Sequence, residues 1–310
     1  MTDTIYLYTM NIQTYTQEVV NLHTHSYYCG HGFGEVAEYA QEGLKQGLKL
    51  LGMSEHCPVP DNRWEKSRMA FSMLDSYTKD CLATKKEYAG RLEVLRGFEC
   101  DYLSQYQGYF EELQETCDYL FFGVHDLSLD ISSEYSMFWN PITRDDLIAY
   151  TKLYLQGIES GLFLFGAHPD VFCHSYRAWD EETIACSKAI IECALANDVA
   201  LEVNANGMRK GLVKTSYGTR YAYPHHEFWK LASQYPVKVL CNSDAHNPAH
   251  VNDSMERCLS FARECSITCC SFQVEKNPDM HGRAGSGTVS TLSLIRGEHT
   301  GLERRIGVRG

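Results

Sequence analysis

Apolar residues along this chain fall into two alternating kinds of block. Short, nearly continuous apolar runs recur at residues 19–22, 49–54, 92–98, 118–124, 162–167, 199–204 and 237–242. Runs of this length suit strands buried on both faces. The segments between them carry apolar residues at helical spacing. In 34–48 these are Val36, Tyr39, Ala40, Leu44 and Leu48, and in 71–88 they are Leu74, Tyr77, Cys81 and Leu82. Further helices are predicted around 106–116, from Thr143 onward with Asp145 and Asp146 in the first turn, and over 180–196, 224–234 and 249–264. Such alternation predicts an α/β fold with a parallel sheet, either closed as a barrel or open and doubly wound. Residues 1–17 read as an N-terminal extension and 18–270 as one domain. The Gly- and Arg-containing stretch 271–310 reads as a tail outside the fold, disordered or foreign to it.

In both architectures the ligand site lies at the carboxyl ends of the strands. Six of the seven predicted strands end there in a potential metal ligand: His23 and His25, His56, Glu99, His125, His168, and Asp244 with His246. His31 follows the first strand in a Cys-Gly-His-Gly turn. Residues two apart in an extended chain point to one side, so His23 and His25 face a common point. Any one such residue is more often a cap or a solvated loop side chain. The sorting of seven of 13 histidines to one rim, with two carboxylates, is what points to metal. Imidazole with carboxylate suits Zn, Mn or Fe, and nine ligands suit two or three divalent ions with a bridging carboxylate. Multinuclear sites of this kind activate water for in-line displacement, most often at phosphorus.

The composition changes little in this picture. The net charge of −12 argues against a nucleic-acid partner and against an anionic membrane surface. No apolar run is long enough to span a bilayer, and no leader pattern opens the chain. The 13 cysteines include no C-x-x-C pair and read as reduced, buried thiols, which suits a cytoplasmic enzyme.

Seven short motifs then appear in order. They are His23-Thr24-His25, Cys29-Gly30-His31-Gly32, Ser54-Glu55-His56, Gly97-Phe98-Glu99, Gly123-Val124-His125, Ala167-His168-Pro169-Asp170 and Ser243-Asp244-Ala245-His246. Over about residues 19–265 the chain resembles the polymerase and histidinol phosphatase (PHP) family. The resemblance implies a distorted (β/α)7 TIM-like barrel with a trinuclear site at the C-terminal ends of the strands. One ion would take His23, His25, Glu99 and Asp244. A second would share Glu99 and take His125 and His168, and a third would take His31, His56 and His246. Glu99, Asp244 and His246 would be the catalytic members of this set. Glu55 stands where the family more usually has aspartate.

The segments 97–102 and 201–210 are similar to the histidinol-phosphatase branch, in which Arg209 would grip the substrate phosphate. The family's second phosphate-binding arginine is expected soon after His168-Pro169-Asp170; the nearest here is Arg177, with His174 before it. The implied activity is metal-dependent hydrolysis of a small phosphorylated substrate, first of all L-histidinol phosphate to L-histidinol and phosphate in histidine biosynthesis. The rivals are a PHP phosphoesterase acting on a nucleotide, phosphodiester or sugar phosphate, and a non-catalytic metal-binding PHP module. An amidohydrolase-type barrel also begins with His-x-His, but it wants a lysine at a later strand end, and no strand end here offers one.

Overall fold

The computed structural model describes residues 12–64, 66–131, 133–216, 218–276 and 289–297. Its centre is a seven-stranded parallel sheet built from β2 (Val20–Asn21), β3 (Leu50–His56), β4 (Glu93–Asp101), β5 (Tyr119–Gly123), β6 (Phe165–Gly166), β7 (Ala200–Asn204) and β10 (Val239–Asn242). These lie side by side in sequence order. Around them run α1 (Val36–Lys45), α2 (Leu74–Tyr88), α3 (Gln107–Thr116), α4 (Arg144–Glu159), α5 (Glu181–Ala196), α7 (His226–Ala232) and α8 (Met255–Glu264). Capping boxes start α4, from Thr143 with Asp146, and α5, from Asp180 with Thr183.

The sheet curls until β2 meets β10, and there the seam is made partly by side chains. Leu22 N donates to Asn242 Oδ1 at 2.8 Å, and Ser243 N donates to Asn21 Oδ1 at 3.0 Å. Backbone pairing resumes just above, with His25 N donating to Ala245 O at 2.8 Å and Ala245 N to His23 O at 3.2 Å. The result is a distorted seven-stranded barrel, closed at the level where the first and last predicted ligand motifs lie.

Glycines shape its interior. A Cβ on Gly52 would fall 1.9 Å from the Tyr119 hydroxyl oxygen, and one on Gly97 would fall 2.7 Å from the Tyr119 ring. Both glycines therefore make room for Tyr119 inside the barrel, where its hydroxyl donates to Leu22 O at 2.6 Å. Phe121 and Phe165 stack at 4.3 Å in the same inner cluster.

Three differences from the sequence reading have local causes. Residues 162–167 give only the two-residue β6, although Leu164 N and Ala167 N still donate to Leu120 O and Phe122 O. The helix expected over 249–264 is broken by Ser254, whose φ of 65° is left-handed, leaving a 3-10 turn at Pro248–His250 and then α8. Between β7 and α7 the chain forms a short helix α6 (Ala205–Arg209) and a hairpin of β8 (Leu212–Thr215) with β9 (Gly218–Tyr221). Among the described residues no helix is long and apolar enough to cross a membrane.

The reading of 271–310 as a tail outside the fold is corrected for its two strands. β11 (Ser271–Lys276) pairs antiparallel with both β1 (Ile12–Tyr15) and β12 (Ser290–Ile295). Phe272, Val274, Leu292 and Leu294 alternate inward and join the inner barrel cluster with Val20, Leu50 and Leu95. The small sheet thus floors the barrel at the end away from the ligand motifs. It forms because a seven-stranded barrel opened at its base would leave that apolar interior wet. Residues 277–288 and 298–310 lie outside the described residues.

Phe272 is fully buried in this floor. Phe272→Ala is expected to cost about 3–5 kcal/mol of stability, read as a lower urea midpoint. A wild-type midpoint would show that the small sheet is not part of the folding unit.

Candidate metal centre

Six of the seven barrel strands deliver a candidate ligand where the backbone leaves the sheet. His23 and His25 follow β2, His56 ends β3, Glu99 lies near the end of β4, and His125 comes two residues after β5. His168 follows β6 after Ala167, while Asp244 and His246 follow β10. His23, His25 and Glu99 are fully buried, and His56, His168 and Asp244 nearly so. Two of these, His168 (φ 31°) and Asp244 (φ 49°), hold left-handed backbone that non-glycine residues rarely adopt.

Glu99 is the hub. Its Oε2 lies 3.2 Å from His23 Nε2, 3.3 Å from His25 Nε2 and 3.0 Å from His56 Nδ1. Its Oε1 lies 3.2 Å from His125 Nε2 and 3.0 Å from His168 Nε2. Asp244 Oδ1 approaches His23 Nε2 at 3.6 Å and His25 Nε2 at 3.4 Å. Four bonds of 2.0–2.1 Å to one ion set tetrahedral ligand atoms about 3.3–3.4 Å apart. The separations from His23 and His25 to Glu99 and Asp244 bracket that value. His23 Nε2, His25 Nε2, His56 Nδ1 and Glu99 Oε2 are moreover buried without a conventional hydrogen-bond partner among the described residues. Orphaned donor atoms converging in this way fit divalent metal.

Of the third expected group, His31 Nε2 and His246 Nε2 lie 3.0 Å apart. The His56 ring lies 5.3 Å from that of His31 and 5.9 Å from that of His246, with its Nδ1 3.0 Å from Glu99 Oε2. His56 thus stands between the Glu99 hub and the His246 side of the cluster, grouping with Glu99 and His125 and also with His25 and His246. Cys29 lies near His31 and His246, yet burial pushes its thiol up to about 12. Its Sγ accepts from Gly32 N at 3.1 Å and donates to Ser26 O at 3.3 Å, so it holds the turn that carries His31.

Protonation follows burial and neighbours. Burial lowers His25 and His31 to about 4, and lowers His246 to about 3. Burial alone would favour neutral acids at Glu99 and Asp244, but the surrounding histidines hold both well below the usual carboxylate range. His125 is the reverse case: burial opposes its charging, yet Asp101 and Glu99 raise it to about 9. His23 is likewise held well above its ordinary value against burial, by Glu202, Asp244 and Glu99.

A family model described as "PHP domain" matches residues 21–206, more than half of the sequence. The chain belongs to the PHP family. A Bacillus subtilis relative named "Histidinol-phosphatase" is 26% identical over 278 residues, covering 78% of this chain and 98% of that protein. A Deinococcus radiodurans relative named "Probable histidinol-phosphatase" is 29% identical over 265 residues, covering 82% and 96%. Among solved structures, histidinol phosphate phosphatase from Lactococcus lactis, in complex with zinc, L-histidinol and phosphate, superposes with a TM-score of 0.62. That likeness, at 12% identity over 82% of this chain and 97% of the other, is one of fold.

Behind the PHP ligands stands a set of residues that the sequence reading missed. Glu202, fully buried on β7, accepts from His23 Nδ1 at 2.7 Å and from His168 N at 3.1 Å. Asp101 accepts from His125 Nδ1 at 3.1 Å and is paired with Arg68. Asn204 and Asn206 donate to Asp244 Oδ2 at 3.1 and 3.0 Å. These partners fix which imidazole nitrogen faces the centre. A signal was present in the inward alternation: Asp101 is two residues past Glu99, and Glu202 two before Asn204. Glu55 accepts from Ser26 N at 2.6 Å through Oε1 and braces the loop after His25, and burial pushes its carboxyl up to about 8.

The centre floors a cavity of about 920 Å³, with Phe33, Trp64, Phe138, Trp139 and Tyr223 among its walls. Arg209 lines it, while Arg177 does not. The 3-10 turn Val171–His174 buries Val171, Phe172 and Cys173 and leaves His174 on the cavity wall, so Arg177 emerges exposed beyond it.

Two variants test this arrangement. Glu202→Gln is expected to weaken metal binding about 10- to 100-fold, measured by competition with a chelator. A Cβ on Gly123 would sit 2.8 Å from His125 and His168 and 2.9 Å from Glu99 Oε1. Gly123→Ala should therefore lower metal content in a chain with an unchanged circular dichroism spectrum; wild-type metal content would place the ions elsewhere.

Proposed function

We propose that this PHP chain is a metal-dependent phosphatase of small phosphate monoesters, acting on L-histidinol phosphate to give L-histidinol and phosphate. The observation that carries it is the convergence of nine candidate ligand side chains, Glu99 among them at the centre, on the floor of an aromatic-walled cavity. The names of the curated relatives, and the zinc, L-histidinol and phosphate of the lactococcal neighbour, support the same substrate.

His23, His25, Glu99 and Asp244 would hold one ion; Glu99, His125 and His168 a second; His31 and His246, with His56 beside them, a third. The donor set suits Zn, Mn or Fe. When bound, such ions bring the pKa of water to about 7 and neutralise charge on phosphate oxygens. The chain's own part is positioning. Glu99 has an oxygen for each of two ions, which an imidazole cannot offer. Glu202 and Asp101 keep His23 Nε2 and His125 Nε2 aimed inward, and Asn204 and Asn206 turn Asp244 Oδ1 toward the cluster. The aromatic walls suit the flat imidazole of the leaving group.

Glu99→Gln removes the charged bridge. It is expected to reduce both bound metal and phosphate release from L-histidinol phosphate by orders of magnitude, assayed with Mn, Zn and Fe in turn. Full metal content together with full rate would sink the assignment of Glu99. A wild-type chain that releases phosphate from other monoesters but not from L-histidinol phosphate would sink the substrate.

A further inference from the structure

The chain between β3 and α2 carries two buried arginines, Arg63 and Arg68, on one side of the cavity. A guanidinium taken out of water has to be paired. Arg63 is paired locally: its Nε donates to Asp61 Oδ2 at 3.2 Å, and a terminal nitrogen donates to Leu129 O at 3.4 Å. Arg68 instead reaches the layer behind the ligands. One terminal nitrogen donates to Asp101 Oδ2, and the other donates to Ser67 O at 2.8 Å.

Asp101 is the group that aims His125. Its Oδ1 accepts from His125 N at 3.0 Å, and its two oxygens lie 3.1 and 3.2 Å from His125 Nδ1. The backbone bond fixes Oδ1 alone, so the carboxylate could still turn about it. Arg68 stops that rotation by holding Oδ2, and His125 Nε2 is left facing Glu99 Oε1 at 3.2 Å. The same guanidinium lies over Trp64, 5.7 Å from the ring centroid, with that of Arg63 at 5.3 Å. Trp64 is a cavity-wall residue in left-handed backbone (φ 59°), which a bulky side chain keeps only where its neighbours over-determine it. Ser67 N closes the turn by donating to Trp64 O at 2.8 Å.

We propose that Arg68 is a positioning residue that sets two features of the site through one guanidinium. Through Asp101 it fixes the direction of His125 toward the ion that His125 would hold, and through its stacking it fixes Trp64 on the cavity wall. The inference rests on reading the cluster as the metal centre of a phosphatase. Arg68 acts here without touching substrate, since both terminal nitrogens already have protein acceptors. Arg63 shares the contact with Trp64 but, among the described residues, bonds to no group that aims a ligand. It therefore separates the two effects.

The test uses the full chain loaded with Mn or Zn. It reads the metal equivalents retained against a chelator, tryptic cleavage after the exposed Lys66, and kcat with KM for L-histidinol phosphate. Arg68→Met is expected to weaken one equivalent of metal about 10- to 100-fold, to lower kcat more than it raises KM, and to speed the cleavage. Arg63→Met should speed the cleavage and keep every equivalent. Arg68→Lys keeps the charge but not the planar fork, and should recover metal only in part. Loss of the same equivalent from Arg63→Met would trace the effect to the loop and overturn the assignment. Full metal retention by Arg68→Met would overturn it too, with a raised KM marking a substrate contact and a lower urea midpoint alone marking a structural one. If Arg68→Met does not fold, Arg68→Lys decides, and wild-type retention there overturns the assignment. The metal and cleavage readouts need no substrate, so a chain that leaves L-histidinol phosphate intact would sink the substrate reading and leave the role of Arg68 standing.

Discussion

A fully buried carboxylate, Glu99, sets the terms for the rest of the site. Removing an ionised carboxylate from water costs several kcal/mol even after relaxation, so the fold must surround it with compensating groups. It does so with five imidazoles, three on Oε2 and two on Oε1, drawn from four different strand ends. No single strand or hairpin can place side chains on all sides of one point. A closed ring of parallel strands can, because every strand ends at the same rim. The barrel is one geometry that meets this demand. The fitted space under it, with Gly52 and Gly97 yielding to Tyr119 and Gly123 yielding to Glu99 itself, follows from the same demand.

Charge extends the argument outward. Asp244, Glu202 and Asp101 add three more buried carboxylates around the hub, and Arg68 offsets one of them. Neutral imidazoles cannot balance the remainder. His23 and His125, each set between carboxylates, are accordingly pulled toward the protonated form, whereas His25, His31 and His246 are pushed toward the neutral one. A set of divalent ions meets the same electrostatic demand while accepting imidazole lone pairs, which protons on the ring would block.

The convergence of the candidate ligands was legible in the sequence because metal-ligand types at strand ends leave a strong linear trace. Each apolar run stops at a histidine or carboxylate, and His23 with His25 shows the two-residue period of an extended chain. The supporting layer left a weaker one. Glu202 lies inside an apolar run where a carboxylate looks like a solvated exception, and only the fold shows that it faces His23. Arg209 matches a phosphate-gripping position by residue type, and the fold adds what type alone does not show: it lines the cavity while three backbone carbonyls fix part of its guanidinium. The barrel floor escaped for another reason. Phe272 with Val274, and Leu292 with Leu294, alternate over short stretches separated by a glycine-containing segment, and neither strand has enough apolar length to stand out alone.

The two left-handed ligands show how the supporting layer and the hub are connected. Backbone of this kind costs on the order of 1–3 kcal/mol per residue and persists only where neighbours over-determine it. At His168 the determinant is Glu202, which takes the backbone N–H with one oxygen while the other takes His23 Nδ1. At Asp244 it is Arg209 on the carbonyl, with Asn204 and Asn206 on Oδ2. Asn204 also donates to Glu202 Oε2 at 2.9 Å, and Asn242 donates to Glu202 Oε1 at 2.9 Å while its own Oδ1 closes the barrel seam at Leu22. The first, fifth, sixth and seventh strands of the barrel are thus tied through one buried glutamate. Strain at two ligands, closure of the seam and the tautomer of His23 are set together, so the ligand atoms stand near metal-binding separations as a property of the folded chain, and little reorganisation is left for binding to impose.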